Sequence, residues 1–554
     1  MKKILTSIAI LAVFCACEKE KDIQKEASAQ PEGKQIITAT VNCATKVAYS
    51  ENTPGGGAGI SSVWEDGDKF YAIQDGSTVV TFTLASGAGN TTATFTAEAE
   101  GVTSSTEWVA VLGKNASVHG AEIHCGYQSQ NGSIANLNKF NYVQATSTGV
   151  TPSFDFANGT ALSYIVRIKV PAGTKCIEYT PCIYWKVTSA EISEVHYTSS
   201  VYAENSTDGS AYAAWLPANT STISLSAAAS AGDIVYLALP AINYKFNRYP
   251  YGTSPYEDGN LKGGVILTFL NNTSAEATQS WGMVIGNDLS TKGGQIKTLD
   301  CTATEMISRP TPAQAIEMTA SYNRTSNPTF NASGAVYWAP YNVGATSAAE
   351  AGYYFQWGEV EDSGGSPAYS NYAFASGSDA ITISNSTYDA YNTISVLQYQ
   401  GLGSKSSSFF TIQQSRYDAA RVLWGSAWRM PNFPEASATA QNSTYSLTSD
   451  TWTMTSNGTG NSITIFRSNW KTKGYANPQR PTPGSNGKQL TYDCACFWTA
   501  TQQNRKCNLP GYAAAMMMGH VSDGTDWDWW DGKTWRERAV PVRAVLASTS
   551  ITVE

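Results

Sequence analysis

Between Asp523 and Trp535 the chain carries four aspartates and four tryptophans. Two chemistries suit that mixture. Carboxylates in a loop hold a hard cation, and indole faces beside carboxylate acceptors hold a sugar, whose C–H groups stack while its hydroxyls donate. The calcium reading is tested by spacing. Counted from Asp526, acidic residues fall at positions 1, 3 and 6, and Glu537 falls at position 12. An EF-hand needs an oxygen ligand at position 5 and glycine at position 6. Here those positions are Trp530 and Asp531, and Gly532 arrives one place late. No cofactor or metal is therefore expected, with calcium held by a non-standard loop as the rival.

Asp531-Gly532 is instead a turn signal. The spacing predicts a hairpin in which Trp527 and Trp529 share one face, and Asp528 and Trp530 the other. Trp535 and Arg536 would return on the paired strand. Four tryptophans exceed what packing asks of one hairpin, so Trp527, Asp528, Trp529, Trp530, Asp531 and Trp535 are the candidate ligand-binding residues.

Other chemistries find less support. The four histidines, His119, His124, His196 and His520, are scattered, and no Gly-x-Ser-x-Gly occurs. A nucleophile with base and orienting acid is thus not assembled by any motif. His119 and His124 beside Cys125 read as a surface turn rather than metal ligands. Paired carboxylates for glycoside cleavage leave no sequence mark, so a carbohydrate-active enzyme stays open as a third reading; no catalytic residue is expected. Cys176 with Cys182, and Cys494, Cys496 and Cys507 around one apparent hairpin, are candidates for local disulfides. No Cys-x-x-Cys supports zinc.

The elements that must carry the Trp/Asp stretch follow from the whole chain. Its 554 residues, 42% hydrophobic and 14% charged, fit several globular domains, and a net charge of −8 argues against a nucleic-acid partner. Lys2 and Lys3 precede a short apolar run ending in small residues, which reads as a secretion signal over residues 1–16. Phe14-Cys15-Ala16-Cys17 resembles a bacterial lipobox, with Cys17 as the lipidated residue that would tie the chain to a membrane. Residues 17–34 are polar and read as a tether. Their acidic start resembles the surface-export signals of Bacteroidota lipoproteins, so the expected location is the outer membrane, facing outward.

From residue 35 to about 300 short segments alternate apolar and polar residues between Gly, Asn and Ser clusters, the period of half-buried antiparallel strands. The expected fold class is mostly β: two consecutive antiparallel β-sandwiches, residues 35–150 and 151–303, followed by an α+β domain over residues 308–548.

Two family resemblances sharpen this. The run Trp64-Glu65-Asp66-Gly67-Asp68, the strand-like "ATFTAEAE" and "EWVAVLG", and later "SYIVRIKV" and "DIVYLALPA" resemble fimbrillin-like surface lipoproteins. That family includes pilus subunits trimmed after an arginine; none stands before Arg167 here, which favours an unpolymerised tip, anchor or free-standing protein. Beyond the Pro-containing junction Arg309-Pro310-Thr311-Pro312 the chain resembles the Fibrobacter succinogenes major paralogous domain. The carrying motifs are Asn342-Val343-Gly344, Tyr354-Phe355-Gln356-Trp357-Gly358-Glu359, Trp428-Arg429-Met430-Pro431, Phe497-Trp498-Thr499-Ala500-Thr501 and Val542-Arg543. This second resemblance implies a C-type-lectin-like fold with long loops. Together they imply adhesion to an extracellular glycan or a host or bacterial surface ligand. The alternative is a fimbrial tip or assembly subunit that binds other pilus proteins. The Trp428–Pro431 motif itself reads as packing, with arginine fixing the entry to the next element.

Overall fold

The computed structural model describes residues 34–42, 50–51, 60–61, 63–181, 183–196, 220–241, 265–285, 296–324, 330–355, 418–448, 451–466, 495–500, 512–520, 527–535 and 540–553. For 512–520 and 527–535 this means the backbone alone. Cys17, the leader and the tether up to residue 33 lie outside the described residues, as do Cys494, Cys507, Trp357 and Arg536; Lys34, counted with the tether, instead opens the first strand. The chain is mostly β, in several sheets. Among the described residues no helix is long and apolar enough to cross a membrane.

The strand Lys34–Asn42 shows why the N-terminal part folds as it does. Its burial alternates strictly from Ile37 onward, so Ile37, Ala39 and Val41 face the core while Thr38 and Thr40 face solvent. It pairs antiparallel with Thr92–Glu100 along its whole length, and its end pairs parallel with Ser153–Asp155. These strands belong to one eight-stranded sheet whose inner face encloses an aromatic core. Phe70 lies at its centre, with the rings of Phe82, Phe95, Phe154 and Phe156 at 5.0 to 5.5 Å. The turn at Trp64 is fixed by its own polar groups. Asp68 Oδ2 accepts from the Glu65 amide at 2.7 Å, Lys114 Nζ sits 2.6 Å from Asp68 Oδ1, and Gly67 takes φ +82°. Burial pushes the Asp68 carboxyl up from its ordinary range, against the pull of Lys114.

The next part splits into a three-stranded sheet around Ser163–Lys169 and a five-stranded sheet built on Cys176–Pro181, Val265–Leu270 and Gln279–Ile285. It is stitched to the first part, because Glu122–Cys125 pairs with Ile183–Val187. Cys176 is a free, buried thiol, so the expected local bridge to Cys182 is not formed. The physical reason is the strand: it runs extended from Cys176 to Pro181, about 16 Å at the usual rise per residue, far beyond disulfide reach. Cys182 itself lies outside the described residues. Every residue of Cys176–Pro181 and of Val265–Leu270 is buried, so these strands are covered on both faces.

The C-terminal part is built on the antiparallel pair Ile316–Arg324 and Phe330–Trp338, with Ser550–Val553 on the second strand's far side. The helix Phe433–Gln441 covers it. Its start is set by a capping box, Asn432 accepting from the Glu435 amide and Glu435 from the Asn432 amide, with Pro434 in the first turn. A last sheet orders Ala495–Trp498, Tyr512–His520 and Trp527–Trp535.

That last sheet corrects the turn expected at Asp531-Gly532. Trp527–Trp535 is one strand, paired through nine positions with Tyr512–His520, from His520 opposite Trp527 to Tyr512 opposite Trp535. Asp531 and Gly532 face Met516 and Ala515 in mid-strand. An Asp-Gly pair makes a turn where its own flanks can pair with each other. Here both flanks pair with a preceding nine-residue strand instead, and the reversal falls between His520 and Trp527.

Candidate functional site

The predicted ligand-binding residues Trp527, Asp528, Trp529, Trp530, Asp531 and Trp535 are thus brought onto a single strand. Among the described residues it pairs on one side only, at the end of its three-stranded sheet. Such an end strand offers unpaired backbone groups beside its side chains. The solvent exposure and directions of those six side chains lie outside the described residues. The strand is anchored inward through its sheet. Ala495–Trp498 leads to the buried Phe497 and Trp498; Phe497 meets Trp338 edge-on at 5.4 Å, and Trp498 Nε1 donates to the Phe355 carbonyl at 2.6 Å.

The motifs singled out in the sequence converge on one buried cluster, which holds Val343, Phe355, Trp428, Trp498 and Val542. Arg543 is fully buried; it donates to Asn342 Oδ1 at 2.8 Å, to the Ala339 carbonyl at 2.9 Å and to the Thr464 carbonyl at 2.5 Å. Burial pulls its pKa down to about 9, while three oxygen acceptors compensate the charge. Asn342 in turn donates to the Ala351 carbonyl at 2.8 Å. Gly344 takes φ +81°, and a Cβ there would meet the Tyr353 ring at 2.3 Å, so glycine is required. Arg429 forks Glu435 at 2.8 and 2.6 Å and also reaches the Thr549 carbonyl at 3.0 Å. Trp428 is buried and Arg429 nearly so. None of these groups is free to act on a ligand; they hold the scaffold.

Sequence reading missed a second polar centre. Glu178, Thr180 and Thr268 stand on the five-stranded sheet at positions that alternation assigns to solvent, yet all three are buried. Glu178 accepts from the Ser426 amide at 2.6 Å and from Ser426 Oγ at 2.8 Å, with Arg421 Nη1 at 3.9 Å. Thr268 Oγ1 donates to the Val422 carbonyl at 2.9 Å. The signal available in the sequence was an acidic residue inside the apolar run of Cys176–Pro181, which demanded a partner from elsewhere.

The histidine cluster is a surface hairpin around Gly120, which takes φ +62°. The His119 and His124 rings lie 4.4 Å apart, and Glu122 bridges His124 at 2.9 Å and Lys186 at 3.1 Å. Those hydrogen bonds, His124's first and Lys186's second, hold the Glu122 carboxyl below its ordinary range. Among the described residues no group of three or more His, Cys, Asp or Glu side chains could hold a metal.

No family model matches the chain, and no curated protein matches it. Among solved structures, a Bacteroides ovatus protein provisionally assigned to cell adhesion aligns at a TM-score of 0.25 and 9% identity, over 50% of this chain and 95% of its own. A similarity of that degree transfers neither fold nor role.

Proposed function

We propose that this chain is a lipid-anchored surface adhesin, tethered through Cys17 to the outer membrane and facing outward. Its β-rich N-terminal part acts as a stalk, and its C-terminal part is a lectin-like module that captures a glycan without covalent chemistry. One observation carries the reading. Four tryptophans and two aspartates occupy one end strand, Trp527–Trp535, which among the described residues has one paired neighbour. Indoles on such a strand supply stacking faces, and Asp528 and Asp531 supply acceptors for sugar hydroxyls.

The test uses the secreted chain from Lys34 to its end on a glycan array. Binding to at least one glycan is expected, and Trp527→Ala with Trp529→Ala should abolish it while the melting temperature stays unchanged. If no glycan binds, and deleting the gene removes fimbriae from the cell, the chain is an assembly subunit instead. A melting temperature raised by calcium would restore a metal role for the aspartates.

A further inference from the structure

The stretch that links the five-stranded sheet to the C-terminal module has the composition of a junction but the environment of a core. Ile307–Ser308 adds a strand to the sheet beside Gln279 and Ser280. The next residues are gripped from the module's side. Trp424 Nε1 donates to the Ser308 carbonyl and Trp428 Nε1 to the Pro310 carbonyl, each at 3.0 Å. Between them Arg309, 1% exposed, donates to the Trp424 carbonyl at 2.6 Å and to the Ala277 and Ser274 carbonyls at 2.7 Å. One guanidinium therefore ties a sheet loop to the end of a module helix.

That helix, Ala419–Trp424, lies on the sheet's outer face. Gly282 makes the approach possible: a Cβ there would stand 1.6 Å from the Val422 carbonyl oxygen. Arg421 Nη2 donates to Thr180 and Thr220 at 2.7 and 2.8 Å, and Gly425 takes φ +85° so that Ser426 can reach Glu178. Apolar contact joins the two sides there as well, since Ile266, on the same face of the sheet as Thr268, forms one buried cluster with Val422.

We propose that the five-stranded sheet and the C-terminal module are one cooperative unit, strapped together by residues 307–310 and docked in a single pose. The physics excludes intermediate poses. Sliding the helix by one residue would leave Glu178, Arg421 and Arg309 buried without their partners, which is strongly unfavourable. Opening it fully would expose Trp424, Trp428, Val422 and Ile266, all of them buried as docked. The module therefore cannot hinge on its stalk, and neither side keeps its fold alone. This holds whether or not the strand Trp527–Trp535 binds a sugar.

Native-state hydrogen exchange on the full chain, followed across a denaturant series, tests it. The amides of Ala419–Trp424 and of Val265–Leu270 should merge into one opening event with a common denaturant slope. Ser426→Ala, which deletes one hydroxyl contact, should speed exchange a few-fold in both segments and leave Thr92–Glu100 unchanged. Gly282→Ala should speed both at least tenfold. Should it fail to fold, the unaltered chain and Ser426→Ala still decide. The proposal is overturned if the helix exchanges at lower denaturant than Val265–Leu270 in the unaltered chain, or if Ser426→Ala accelerates one segment without the other.

Discussion

The eight-stranded sheet encloses rings, whereas the joint between the five-stranded sheet and the C-terminal module encloses charges. Phe70 touches four other phenylalanines and asks nothing of them but shape. Arg309 meets three carbonyls and Glu178 meets a helix end, and each is tolerable in the interior only with those partners present. A ring core can form from one continuous stretch of sequence. A buried charge waits for its complement, so a joint built on charges specifies where the module sits as well as that it sits.

Substitutions on the two sides should separate these behaviours. Arg309→Ala is expected to have the largest effect, destabilising by about 4 kcal/mol, because three carbonyls, those of Trp424 and Ala277 buried, lose a charged donor. The loss should appear as one shifted calorimetric transition covering both sides of the joint; a shift confined to one side would break the comparison. Phe70→Ala should cost about 3–4 kcal/mol through the cavity it leaves. Its effect, read by hydrogen exchange, should stay within residues 34–161. Thr268→Val keeps the shape and removes one hydroxyl donor from Val422, so a loss of about 1 kcal/mol in denaturant unfolding is expected.

The smallest effect is a pH dependence at the edge of the three-stranded sheet. The Asp300 carboxyl is held down to about 2, first by the Thr302 hydroxyl and then by Lys169. Its folded pKa lies below its unfolded one. The contribution is therefore present above about pH 4 and disappears as pH falls toward 2. The melting temperatures of the unaltered chain and Asp300→Asn should differ slightly at pH 6 and converge by pH 2; a gap that persists at pH 2 would assign the difference to another cause.

The same contrast explains what could be read from the residues. Lys34–Asn42 and Thr92–Glu100 announce themselves by alternation, because one face of each meets water and the other meets the rings. The Gly67-Asp68 turn is legible because the Glu65 amide that Asp68 receives is close by in the chain, whereas Asn90 and Thr91, the partners of Trp64, come from a later strand connection. Cys176–Pro181 and Val265–Leu270 are legible as strands but not as strands covered on both faces, since the cover comes from residues 419–426, more than 150 positions later. The same distance hides the partner of Glu178. On the candidate strand the residue set was legible and the turn was not, because Asp531-Gly532 is a strong local signal overridden by pairing with Tyr512–His520. The pairing of Glu122–Cys125 with Ile183–Val187 left no trace in local pattern at all.

Gly282 carries a further consequence for inheritance. Its missing Cβ is room above all for the Val422 carbonyl; the Leu267 carbonyl, nearer along the chain, would stand 3.1 Å from it. A recombination that spliced this C-terminal module behind a different sheet would bring the helix and its arginine, but not the glycine, the glutamate and the threonines that receive them. The module is thus no portable cassette: it travels with the five-stranded sheet, or it arrives without a seat.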